Sequence, residues 1–457
     1  MKFRKFGQLS LALVVSLGLG IGVTSCSNSY TVGYLYITGS QTNQNGNNIS
    51  GFNINNQTGQ LTPIRKSPFG ANGTNPVRDI VLSGGRFLYV LNQGTFSYNS
   101  DGTTTGTASN ISLFQIGGDG VLTFQASYSS QGSNSISFLA DSSGSHIYVL
   151  DDYSTIDYGA NKGITIPSTA TKTASTPCQN QTDGRFYPVA DISAFNVDSN
   201  TGRLSLITNQ QVTNPDGTQL TYFPIGCFPV EFKLIGGYIF TAQTGSTSNN
   251  DSQTVFSYAQ SSTNGQLTLT QNAPLQTGAV QITSINSDPA GRYIYLLDAG
   301  PVGTCTGTQT QILPFTIGSG GILQSLVGGN VCNDPTVIGP TVLLVDSKTK
   351  FLYVANSSST NTSPTQSASQ ISAFTIDPTT GKLAFIAGEP FGTGSGPRCM
   401  LEDPSNQFVY TANFNDSTVT GKIIDTNAGV LNPLRKGSGV FAIDGTPTWC
   451  AVSSRTQ

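Results

Sequence analysis

Only 10% of the 457 residues are charged and the formal net charge is −3, with no basic patch, Cys–His cluster or phosphate-binding loop. Nucleic acid is therefore not an expected partner. Glycine and proline number 52 and 22, too few for a disordered chain.

The first residues read as a processing signal. Lys2, Arg4 and Lys5 give a basic start, residues 9–23 are apolar, and Val23-Thr24-Ser25-Cys26 follows. The apolar run is short for a membrane span. The pattern resembles a bacterial lipoprotein signal, which implies a signal peptide over residues 1–25 and lipidation at Cys26. An ordinary secretory peptide cleaved nearby is the alternative. Ser27 after the cysteine implies, by the same resemblance, anchoring to the outer membrane, at the periplasm or the cell surface. Residues 26–32 then form a tether, and residues 33–457 form one domain joined to the membrane only through its lipid.

From there the chain repeats one unit. Its first segment is YLYITG at Tyr34, FLYVLN at Phe87, HIYVLD at His146, YIFTAQ at Tyr238, YIYLLD at Tyr293, FLYVAN at Phe351 and FVYTAN at Phe408. These runs of β-branched and aromatic residues suit buried strands. Each is followed by a hairpin such as ISAFTIDPTTGKL from Ile371, whose Pro and Gly suit a turn. A short strand precedes each first segment, as in PVRDIVLS from Pro76. A repeat this long, all strand and turn, reads as a four-stranded propeller blade. The fold class is all-β, a seven-bladed β-propeller.

With strands a to d counted outwards from the axis, the chain enters blade 1 at strand b, with no strand a before it. The missing strand lies at the far end, where TPTWCAV from Thr446 resembles TNPVRDI from Thr74. The C-terminal strand should complete blade 1, closing the ring and removing open sheet edges. The longest b–c loop, near residues 152–189, belongs to blade 3. It reads either as a functional segment or as a variable insertion.

Setting Cys26 aside leaves six cysteines, an even number that suits disulfides in an exported chain. The b–c loops and d–a connections share one face, here the top. Cys178 and Cys227 occupy such a loop and the next connection, as do Cys305 and Cys332. Cys399 and Cys450 lie on strand a of blades 7 and 1, which are neighbours. The three sequential pairs follow as expectations, with free buried thiols or a metal site as alternatives. Zinc does not fit, because there is no CxxC and His146 is the only histidine.

The YVxN-like strands, TGxL hairpins and seven blades resemble the lactonase-type propellers, including the propeller 6-phosphogluconolactonases and the YVTN-repeat proteins. GPRCMLEDPSNQFVYTAN from Gly396 carries the resemblance best, with Asn406 where glycine is usual. The resemblance implies hydrolysis of a lactone or sugar-acid ester in a top-face channel, and no cofactor. Two features depart from it. Family members carry several histidines, and a glutamate after the final Asn of the strand b motif. Here Asn356 is followed by Ser357 and Asn413 by Phe414. A non-catalytic envelope propeller that binds a protein or glycan is therefore kept as the alternative. A monomer is expected in either case.

Strand b ends in Asn92, Asp151, Gln243, Asp298, Asn356 and Asn413, with Gly39 in blade 1. A polar residue in six blades reads as structural, its side chain holding nearby backbone. An oxygen-lined calcium site at the axis is the functional alternative. Asymmetry marks the site better. Two places into strand a lie Arg78, Ser137, Glu231, Ser284, Val342, Cys399 and Trp449. Arg398 and Asp79 are next to members of this set. Arg78, Glu231 and Arg398 are the candidate catalytic residues. The arginines would bind a small anionic or sugar-derived ligand or an oxyanion, and Glu231 would direct a water as general base. Ion pairs between neighbouring blades are the plainer explanation. His146 opens a strand b at the bottom face and reads as structural.

Overall fold

The computed structural model describes residues 30–454, apart from 41–46, 99–103, 154–177, 180–185, 188, 213–216, 218, 246–252, 271–273, 301–304, 306–308, 327 and 360–368. Cys26, the signal segment and tether residues 26–29 lie outside the described residues, as does most of the long blade 3 loop; Thr31 and Val32, expected in the tether, already belong to the first strand.

Seven antiparallel blade sheets are present, each ordered a–b–c–d, and two-stranded ribbons lie in the b–c loops of blades 2 and 3. Blade 2 shows the pattern: strand a is Pro76–Val81, b is Phe87–Asn92, c is Asn110–Ile116 and d is Leu122–Ser129. In the other six blades a short extra strand also pairs with strand c, such as Phe391–Thr393 in blade 6. Blade 1 is completed from the far end of the chain. Strand Thr446–Ser454 lies antiparallel to Thr31–Ser40, with Tyr34 opposite Ser453 and Thr38 opposite Trp449. The seven inner strands adjoin one another around the full ring, the last touching the first.

The core lies between blades rather than within them. Strand b sends alternate side chains to its two neighbours. Leu88 and Val90 enter the core shared with blade 1, while Tyr89 and Leu91 enter the core shared with blade 3. This explains why strand b is a nearly continuous hydrophobic run up to its polar end and does not alternate with polar residues.

The repeated motifs are the joints between blades. The ring that opens strand b packs on the glycine in the next blade's c–d turn. Gly381 has φ of 71°, and a Cβ there would come 2.6 Å from the Tyr293 ring, so both conformation and space require glycine. The tyrosine two residues later donates its hydroxyl to that glycine's carbonyl. The bonds are Tyr36 to Gly120 at 2.8 Å, Tyr148 to Gly265 at 3.2 Å, Tyr295 to Gly381 at 3.0 Å and Tyr353 to Gly429 at 2.9 Å. Tyr89 to Gly202 has the same form. Tyr410 to Gly59, at 2.7 Å, carries the pattern across the seam between blades 7 and 1. Blade 4 departs from it, with Phe240 in the tyrosine position. His146 plays the part of the opening ring in blade 3. It is buried beside Gly265, with Nδ1 2.8 Å from Asp141 Oδ2. Asn406, in place of the family's glycine, has φ of 59°, a conformation asparagine tolerates better than most residues.

Two disulfides match their expected pairs. Cys305–Cys332 and Cys399–Cys450 each have Cα atoms 5.8 Å apart. The second joins blades 7 and 1 at the seam and closes a 51-residue separation, so it contributes about 4 kcal/mol by restricting the unfolded chain. Cys227 is disulfide-bonded; the side chain of Cys178 lies outside the described residues. Disulfides belong to oxidising compartments, which makes this an exported protein.

Candidate functional site

The axial channel is walled by the seven inner strands. Each strand a begins at the top with a bulge, as between Pro76 and Arg78. The bulge turns the residue after it towards the axis. Arg78, Ser137, Glu231, Ser284, Val342, Cys399 and Trp449 all follow such a bulge and form one ring. Glu231 pairs with Ala242, which fixes the blade 4 register.

Within that ring Arg78 reaches across the channel. Its Nη2 donates to Glu231 Oε2, and its guanidinium carbon lies 3.4 Å from the centroid of the Trp449 ring. Ser137 Oγ donates to Glu231 Oε1 at 2.5 Å, as does the Phe232 backbone N–H at 3.1 Å. The ion pair thus links blades 2 and 4 as a chord across blade 3, whose serine supports it. Both side chains are about 15% exposed, so their attraction is screened less than that of a surface pair.

Arg78 and Trp449 line two cavities and so mark the partition between them. The upper one, about 320 Å³, includes Thr283, Thr341, Arg398, Phe414 and Thr448 in its wall. The lower one, about 560 Å³, reaches the bottom-face turn at Asp141 and Ser142. Arg398 is exposed, with its guanidinium carbon 5.1 Å from the Phe414 ring centroid. No carboxylate among the described residues forms a salt bridge with it. The structure therefore brings Arg78 and Glu231 into direct contact, and Arg78 and Arg398 to one cavity.

Asp79 is not part of the channel. Strand alternation turns it away from Arg78 and into the space between blades, where it is 1% exposed with neither carboxylate oxygen hydrogen-bonded. Other blades carry Phe138, Phe232, Ile285, Leu343, Met400 and Cys450 at this place. Burial raises its pKa well above the usual carboxylate range, so folding favours the protonated form. The unfolded chain ionises at lower pH than the folded one, so this residue's contribution to stability falls as pH rises above about 4. Asp79→Leu should stabilise the protein at pH 7 by about 1–3 kcal/mol, and the gain should shrink on acidification. Urea melts at pH 4 and pH 7 check both points.

Lys233, two residues beyond Glu231, was absent from the sequence-based candidates, although the two-residue period of a strand puts it on the channel face. It lines the lower cavity. Of the polar residues ending strand b, Asp298 and Asn356 hold backbone, whereas Asn92, Asp151, Gln243 and Asn413 hydrogen-bond to hydroxyl side chains. Asp298 accepts N–H bonds from Val280, Gln281 and Gly300 at 2.9, 2.7 and 3.0 Å. Among the described residues, no cluster of three or more Asp, Glu, His or Cys side chains is arranged to hold a metal ion.

The model of the family "Lactonase, 7-bladed beta-propeller" matches residues 42–156 and 334–442. No curated protein matches the chain. Solved structures share its fold. A putative 6-phosphogluconolactonase from Bacteroides uniformis is 15% identical, with a TM-score of 0.61, over 92% of this chain and 99% of that one. A periplasmic gluconolactonase from Pseudomonas aeruginosa is 17% identical, with a TM-score of 0.61 and the same coverage. A putative 6-phosphogluconolactonase from Bacteroides fragilis is 16% identical, with a TM-score of 0.60, over 94% and 99%. The seven blades and the family match, which covers about half of the chain, identify it as a seven-bladed β-propeller of the lactonase-like type.

Proposed function

We propose that this protein hydrolyses a lactone of a sugar acid in the upper part of its channel. The observation that carries this reading is Arg398, a guanidinium with no counter-ion among the described residues, on the wall of the cavity that Arg78 also lines. A hydroxy-acid lactone presents a polar ring and develops negative charge on its carbonyl oxygen as water adds. Two guanidiniums beside a small cavity suit that charge. Glu231 is the one carboxylate in the ring of seven. It orients Arg78 and serves as general base when the ligand draws Arg78 away. The family and the names of its neighbours support the same substrate class. As part of this reading, the protein acts at the cell envelope as a monomer, held by a lipid on Cys26 at the outer membrane.

The second reading is a propeller that binds a protein or glycan without turnover. It is favoured by the hydrogen bonds already made to both Glu231 oxygens. A panel of γ- and δ-aldonolactones, followed by acid release at constant pH, separates the two. Hydrolysis above the buffer rate is expected, falling about 100-fold in Arg398→Ala with the melting temperature unchanged. No turnover on any lactone would leave the binding reading in its place.

A further inference from the structure

Below the Arg78–Glu231 pair, the lower cavity has an unusual wall. The channel residue opposite the strand b aromatic is Ile80, Leu139, Leu344, Leu401 or Ala451 in five blades and Asn286 in a sixth. In blade 4 it is Lys233, opposite Phe240. A single amine thus stands among largely aliphatic walls. No side-chain hydrogen bond or salt bridge ties the Lys233 amine to any described residue. The carboxylate nearest along its strand, Glu231, is engaged by Arg78, Ser137 and the Phe232 N–H. On the adjoining inner strand, Asn286 donates to the Leu343 carbonyl at 2.7 Å and accepts from the Ser287 N–H at 2.9 Å. An ammonium placed this way, on a half-buried side chain, gives up part of its solvation without gaining a hydrogen-bond partner among the described residues.

We propose that Lys233 is a carbonyl-capturing amine and that the lower cavity admits small aldehydes. The neutral Nζ adds to the carbonyl carbon to give a carbinolamine. This expels one water and leaves an imine. The nitrogen's lone pair forms the new bond, its protons leave with the departing oxygen as water, and no oxidant or reductant is consumed. The cavity supplies room for the carbonyl compound, and its aliphatic wall favours the dehydrated adduct. Burial lowers the amine's pKa; Glu231 opposes that and Arg78 adds to it, so more of the nucleophilic form is present at neutral pH. This chemistry is independent of lactone hydrolysis.

The test uses the full chain with glyoxylate as the aldehyde and sodium cyanoborohydride to trap the imine at pH 7, followed by peptide mass mapping. Lys233 should be modified about tenfold or more faster than the exposed Lys66, Lys348 and Lys436. Lys233→Arg, which keeps the charge, should lose that fast modification and keep the wild-type melting temperature. Modification of Lys233 no faster than the exposed lysines, or not at all, would overturn the proposal. The wild-type measurement decides the matter even if the variant fails to fold.

Discussion

Removing residues 446–457 should abolish the cooperative melting transition or lower its midpoint by about 10 °C or more. That segment contains the whole of strand a of blade 1, paired with Thr31–Ser40 along its length. It carries Cys450 of the seam disulfide and Trp449, on which Arg78 stacks. It also carries Thr448, whose hydroxyl lies 2.7 Å from the Pro76 carbonyl of the next inner strand. Its loss leaves strand b of blade 1 as an edge facing the channel, and it opens the core that Cys450 shares with Cys399, Phe408 and Tyr410. Each blade buries its faces only against its neighbours, so one gap weakens the whole ring. Thermal melts of the shortened and full-length proteins check this, and equal midpoints would refute closure by the last strand.

The second large effect is expected at the chord across the channel. Glu231→Ala leaves the Arg78 guanidinium largely buried without its counter-ion, and should cost about 3 kcal/mol. Replacing both partners, as Arg78→Met with Glu231→Leu, removes the stranded charge along with the pair. The double variant should therefore be more stable than Glu231→Ala alone. Denaturant melts of the wild type, both single variants and the double variant form a cycle that measures the coupling. Strict additivity would mean that the pair contributes nothing to holding blades 2 and 4 across blade 3.

The fold was legible because each repeat states its own structure. The glycine of the c–d turn and the tyrosine of strand b are two ends of one contact, so their joint recurrence marks every joint but that of blade 4, where Phe240 replaces the tyrosine, and it includes the seam at Tyr410 and Gly59. The ring of seven channel residues was legible for the same reason, since each follows a bulge at a fixed place in strand a. Other features needed the third dimension. Asp79 is adjacent to Arg78 in sequence, yet the strand sends the two to opposite faces. The contact of Arg78 with Glu231 depends on the width of the channel, which no local pattern records. Lys233 was legible in principle from its two-residue offset from Glu231. Its signal is a lone lysine in an otherwise largely aliphatic set of positions, which shows only when the whole channel face of the seven inner strands is compared.

The central claim is that the upper cavity, at Arg398 and Arg78, takes a small sugar acid or its lactone. A crystal structure of the protein soaked with gluconate tests it most directly, because it locates the ligand without requiring turnover. The ligand should lie in the upper cavity with its carboxylate hydrogen-bonded to the Arg398 guanidinium and its hydroxyls towards Thr283, Thr341 and Thr448. Gluconate bound elsewhere, with Arg398 still resting on Phe414 and the upper cavity holding only water, would contradict it.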